Sequence, residues 1–158
     1  MIGKLRYEYA LNFIQKVGEK VEEGECIISY PKQIFCKYND RYNKILVSNG
    51  KSLVINSDRT NQYQRYKLDK TPLNLILDKN FLINKIKSSN LDEIEGKYLF
   101  FQINENNNII NIFFSRENYD LVGWQVEDIY QNLAVTYIFN TSINNIVDEK
   151  LFKLPSQD

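Results

Sequence analysis

Apolar and polar positions alternate in short runs along most of this chain. From residue 33 they read Ile34-Phe35-Cys36-Lys37-Tyr38, Lys44-Ile45-Leu46-Val47-Ser48 and Lys51-Ser52-Leu53-Val54-Ile55-Asn56. Runs rich in β-branched and aromatic residues, bounded by polar punctuation, predict antiparallel strands. Asn49-Gly50 predicts a hairpin closed by a type I′ turn, which needs positive φ at both central residues. A further strand is expected over 62–67. The period then changes at Thr71-Pro72-Leu73-Asn74-Leu75-Ile76-Leu77, which predicts a helix start with Thr71 as cap and Pro72 at the first helical position.

The flanking sequence follows the same logic. Residues 2–10 place Ile2, Leu5 and Tyr9 at near-helical spacing. Strands are expected over 11–15, turned by Gly18, and over 20–30, with Gly24 a candidate bulge or bend. Residues 80–87 have mixed spacing and leave helix and strand open. Later strands are expected over 98–103, 108–115, 121–128 and 133–139, with turns at 104–107 and 130–132. Leu151-Phe152-Lys153-Leu154-Pro155 is read as a final short strand. The sum is a mainly β single domain spanning 1–158. About ten to eleven antiparallel strands would form an incomplete barrel or strongly curved sheet covered by short helices.

The apolar stripes bear on what such a sheet encloses. Leu53 and Ile55 share a face, and the expected pairing puts Phe35 and Leu46 together. Residues 109–114 are apolar on both faces except at Asn111. Strands apolar on both sides need a cover on each side, or surround an interior wider than their own side chains fill. An ordinary packed core and a hydrophobic cavity both satisfy that pattern.

Composition narrows the functional classes. Lys and Arg total 20, as do Asp and Glu, so the net charge is zero and nothing electrostatic points to nucleic acid. There is no histidine. This removes the usual base for a serine or cysteine nucleophile and the commonest transition-metal ligand. No enzyme activity, metal or cofactor is therefore expected. Glu22, Glu23 and Glu25 read as a solvated strand face, and Asp58 and Asp128 as turn residues. Lys51 reads as an exposed hairpin residue and Trp124 as core. Cys26 and Cys36 flank Pro31 symmetrically. A tight turn there would place them opposite one another for a cross-strand disulfide, whereas a four-residue loop would leave two separate thiols.

Several of these stretches, in order and spacing, resemble the LolA family of periplasmic outer-membrane lipoprotein carriers. They are Tyr30-Pro31-Lys32-Gln33-Ile34-Phe35, the hairpin around Ser48-Asn49-Gly50-Lys51 and the Thr71-Pro72 helix start. Phe13-Ile14-Gln15 matches the family's Phe-x-Gln. Residues 121–128, Leu151-Phe152 and Pro155 resemble its C-terminal half. The resemblance implies an incomplete barrel with a helical lid that holds lipoprotein acyl chains. It implies an inner-membrane ABC exporter as donor, an outer-membrane acceptor as recipient, and a monomeric periplasmic protein. Residues 1–20 lack an apolar leader core, so a signal peptide is expected to have been removed or the start to be set past it. The arginine that the family often places before the turn proline is Tyr30 here. Tyr30, Phe35, Tyr38, Leu46, Leu53, Ile55, Leu73, Ile76, Leu77 and Phe81 are the residues expected to line or close the cavity. A LolB-like acceptor or another lipid-binding module is the alternative, followed by a fully packed barrel with an interaction role.

Overall fold

The computed structural model describes residues 8–59, 62–88, 91–105, 107–127, 132–144 and 148–156. Residues 2–7, Asp128 and the greater part of the 130–132 turn lie outside them. One antiparallel sheet of 11 strands dominates, in the order β6-β5-β4-β3-β2-β1-β11-β10-β9-β8-β7. Its strands are β1 (Glu8–Val17), β2 (Lys20–Ser29), β3 (Gln33–Tyr38), β4 (Ile45–Asn49), β5 (Ser52–Asn56), β6 (Tyr63–Lys67), β7 (Asp92–Ile94), β8 (Tyr98–Glu105), β9 (Asn108–Ser115), β10 (Leu121–Glu127) and β11 (Leu133–Asn144). Among the described residues, β1 with β11 is the one pairing that joins strands distant in sequence. The sheet does not close, because β6 and β7 are its two edges. The chain joins those edges through a 3-10 turn (Leu68–Lys70), α1 (Leu73–Ile76) and α2 (Lys79–Ser88).

Alternation along the strands assigns the faces. Leu11 and Phe13 of β1, Cys26 and Ile28 of β2, Ile34, Cys36 and Tyr38 of β3 and Ile138 of β11 form one buried cluster. Phe101 of β8 and Ile110, Ile112 and Phe114 of β9 form a second. The helices meet both. Leu77 joins the first cluster, while its neighbour Ile76 joins the second with Leu82 of α2. Both Ile76 and Leu77 are wholly buried. The Lys32 N–H also donates to the Leu77 carbonyl at 2.9 Å, tying the β2–β3 turn to the helices.

Several local expectations are corrected by the geometry. The 49–52 hairpin forms, yet only Gly50 of Asn49-Gly50 has positive φ. The turn is instead held by the Asn49 Oδ1, which accepts from the N–H groups of Lys51 and Ser52 at 2.9 Å each. Thr71 does not cap α1, because its hydroxyl donates to the Leu68 carbonyl at 2.8 Å. Pro72, with φ −59° and ψ −26°, precedes the first helical residue. Residues 79–88 are helix, and Asp78 caps them by accepting from the Phe81 N–H at 3.1 Å. Glu8, Tyr9 and Ala10 are strand rather than helix. The ladder runs through Gly24 without a bulge. A Cβ there would collide with the Lys37 carbonyl oxygen, so the glycine serves close approach of the backbones.

The C-terminal stretch is not a strand. Glu149–Phe152 forms a 3-10 turn packed on β3 and β4, with Phe152 buried. The buried Glu8 fixes the approach to this turn, accepting from the Asp148 N–H at 2.7 Å. The Tyr63 hydroxyl donates to the Pro155 carbonyl at 3.0 Å.

Candidate functional site

Two cavities lie along the helix-covered face. The first has a volume of about 270 Å³ and is walled by β1–β5, β10, β11 and α1. Tyr38, Leu46, Leu53, Ile55, Leu73 and Ile76 of the expected set all line it. Leu11, Phe13, Ile28, Ile34, Trp124, Val126 and Ile138 complete most of its apolar wall. Nothing in their own short runs marks these residues as cavity wall, because the β1–β11 pairing is what sets β10 and β11 beside β1–β3. Gln15 and Thr136 supply a polar spot there, the Gln15 Nε2 donating to the Thr136 Oγ1 at 3.2 Å.

The remaining expected residues fall elsewhere. Phe35 pairs with Val47 and with Ile27, whereas Cys36 pairs with Leu46. Phe35 therefore projects from the opposite face to Leu46, where it borders a different surface recess with Lys37 and Ile27. Leu77 is wholly buried in the first core cluster, and Phe81 packs half-buried on the second. Tyr30 lines the second cavity, of about 230 Å³, between α2 and strands β1, β2, β9 and β11. Cys26 and Cys36 form a disulfide across paired positions of β2 and β3, with Cα atoms 4.1 Å apart. Both line the first cavity.

Tyr38 marks the boundary between the first cavity and a polar basin at the same end. The Lys44 Nζ sits 4.4 Å from its ring centre and donates to both Glu22 carboxylate oxygens, at 3.1 and 2.9 Å. Glu22 shares the face of Gly24 and Cys26, while Glu23 and Glu25 alternate to the other side, so the three carboxylates do not converge. Asp58 accepts from the Asn43 side-chain amide at 2.7 Å, a loop-bracing role. Among the described residues no group of acidic or cysteine side chains could hold a metal ion.

Burial, and then the charge of Glu22, hold the Tyr38 phenol above the ordinary tyrosine range. Burial, and then Tyr9, push Tyr30 up from 10.0 to about 12. Both groups are thus kept protonated in the folded state, so the unfolded chain loses its protons first. Their stabilising contribution is complete below pH 10 and declines as pH rises towards 12. Urea midpoints measured across that interval should fall, and the fall should shrink in Tyr30→Phe. An unchanged slope in that variant would show that Tyr30 does not drive the loss.

An unclosed antiparallel barrel with apolar space under a helical cover is the architecture these observations define. The family model described as outer membrane lipoprotein carrier protein LolA matches residues 8–155, and the chain belongs to the LolA family. Comparison with curated protein sequences finds no match. Among solved structures, an uncharacterized conserved protein of Thermus thermophilus shares the fold with a TM-score of 0.55 at 8% identity, covering 95% of this chain and 86% of that one. A LolA-superfamily protein of Nitrosomonas europaea aligns with a TM-score of 0.49 at 6% identity, over 94% and 90% of the two chains. The MucA/MucB complex of Pseudomonas aeruginosa aligns at 0.49 and 8% identity, over 94% of this chain and 56% of that one. Among the described residues no helix is long and apolar enough to cross a membrane.

Proposed function

We propose that the protein is a periplasmic, monomeric carrier that holds the acyl chains of lipoproteins in the first cavity. It shuttles them from an inner-membrane ABC exporter to an outer-membrane acceptor. The observation that carries this reading is the apolar cavity that α1 covers, in a chain of the LolA family. Burying an acyl chain stabilises it by about 0.8 kcal/mol per methylene, on the order of 12 kcal/mol for sixteen carbons against water but near zero against a bilayer. A carrier therefore needs an interior that is apolar yet easily vacated. At about 270 Å³ the first cavity is smaller than the roughly 300–1,000 Å³ of a ligand pocket. Loading then requires α1 to give way.

Native mass spectrometry with an acylated lipopeptide and its deacylated counterpart tests the reading. The acylated form alone should bind, and Leu46→Asp, which puts a charge in the half-buried wall, should abolish the complex. Equal binding of both peptides, or of neither, would leave the carrier reading without support.

A further inference from the structure

The second cavity shares Leu11, Ile28 and Ile138 with the first but differs from it at the rim. Its apolar wall includes Leu11, Ile28, Ile83, Ile86, Phe114 and Ile138, and its rim carries Lys79 beside Tyr9 and Tyr30. The Lys79 Nζ donates to the Tyr9 hydroxyl at 3.0 Å and lies 5.3 and 5.9 Å from the Tyr9 and Tyr30 ring centres. The two rings meet edge to face at 5.5 Å. The Tyr9 hydroxyl, with the Tyr30 ring nearby, thus holds the ammonium in place. Among the described residues, no carboxylate forms an ion pair with Lys79 and the Tyr30 hydroxyl has no hydrogen-bond partner. An ammonium has three donors, and Tyr9 takes one. One end of an apolar cavity therefore presents unspent donors and an unneutralised positive charge.

We propose that this cavity, adjoining the first but with its own head-binding rim, is a site for a single-chain anionic amphiphile, a fatty carboxylate. Its head is received by Lys79 and Tyr30 and its tail lies against Ile83, Ile86 and Phe114. Charge-assisted hydrogen bonds to a carboxylate are about twice as strong as neutral ones, which favours an anionic head over an uncharged one. Asp120 also borders the mouth and repels an anion from its own side, so the head is confined to the Lys79 side. Ile143, 65% exposed at the same mouth, extends the apolar surface for a longer tail. At about 230 Å³ the site too must widen to take a chain, here by α2 giving way. It goes beyond the carrier reading because it lies under α2 rather than α1 and selects for head charge.

Isothermal titration of the full chain with dodecanoate, its neutral monoglyceride and dodecyltrimethylammonium, all below micelle formation, tests it. Dodecanoate should bind most tightly. Lys79→Gln, at an exposed position, should weaken dodecanoate by about tenfold and leave the monoglyceride unchanged. Leu46→Asp should leave dodecanoate binding intact while it removes lipopeptide binding. Equal affinity for the three heads, no dodecanoate binding, or indifference to Lys79→Gln would overturn the proposal. So would loss of dodecanoate binding in Leu46→Asp. Failure of the lipopeptide alone would overturn the carrier reading and leave this site standing.

Discussion

Leu77→Ala should destabilise the protein by about 2–5 kcal/mol, read as a fall in the urea midpoint. The side chain is wholly buried among Leu11, Phe13, Ile34 and their neighbours, so its removal leaves a void as well as losing transfer energy. The adjacent Ile76 is equally buried but belongs to the other core cluster. One short helical segment thus pegs the two halves of the sheet. Phe81→Ala, at a half-buried position, should cost less than Leu77→Ala. A loss below about 1 kcal/mol in Leu77→Ala would mean that the site collapses around the gap and that the peg is weak.

Removing the Cys26–Cys36 bond should cost about 2–3 kcal/mol in a Cys26→Ala, Cys36→Ala double variant or under reducing conditions. The cysteines are 10 residues apart, so the bond closes a small loop in the unfolded chain and contributes at the lower end of the usual range. Its place matters as much as its energy. It staples β2 to β3 in the wall of the first cavity, beside Ile34 and Ile28. Matched urea titrations with and without a dithiol reductant measure the effect. Coincident curves would show that the strand pairing alone holds that wall.

The positions of most strands along the chain were legible because each short apolar run is bounded by polar residues. Over 33–38 and 108–115 the expected and observed strands coincide. The disulfide was legible as one of two outcomes, and loop length decided between them. Ser29 pairs with Gln33, which leaves three residues in the turn and keeps the register symmetric about Pro31. Phe35 failed for the same kind of reason. Cys36 rather than Phe35 pairs with Leu46, and a slip of one residue moves a side chain to the other face. Nothing local in the sequence fixes that offset, since both faces of β3 and β4 carry apolar residues. The second cavity was not legible because Tyr9, Lys79 and Phe114 come from elements that only the β1–β11 pairing and the packing of α2 on the sheet bring together. The sequence pattern in 151–155 did not distinguish a strand from an apolar 3-10 turn seated on the sheet.

The unpaired edges at β6 and β7 set how this molecule can change its capacity. A sealed cylinder can swell only by parting two of its own strands. Here the seam already exists, and what spans it is a pair of helices whose grip is chiefly the apolar side chains of Ile76, Leu77 and Leu82. Lifting the helices off the sheet breaks no strand ladder; it costs the apolar contacts of these side chains and the Lys32–Leu77 hydrogen bond. A guest able to replace those contacts with its own does not have to melt any strand to enter.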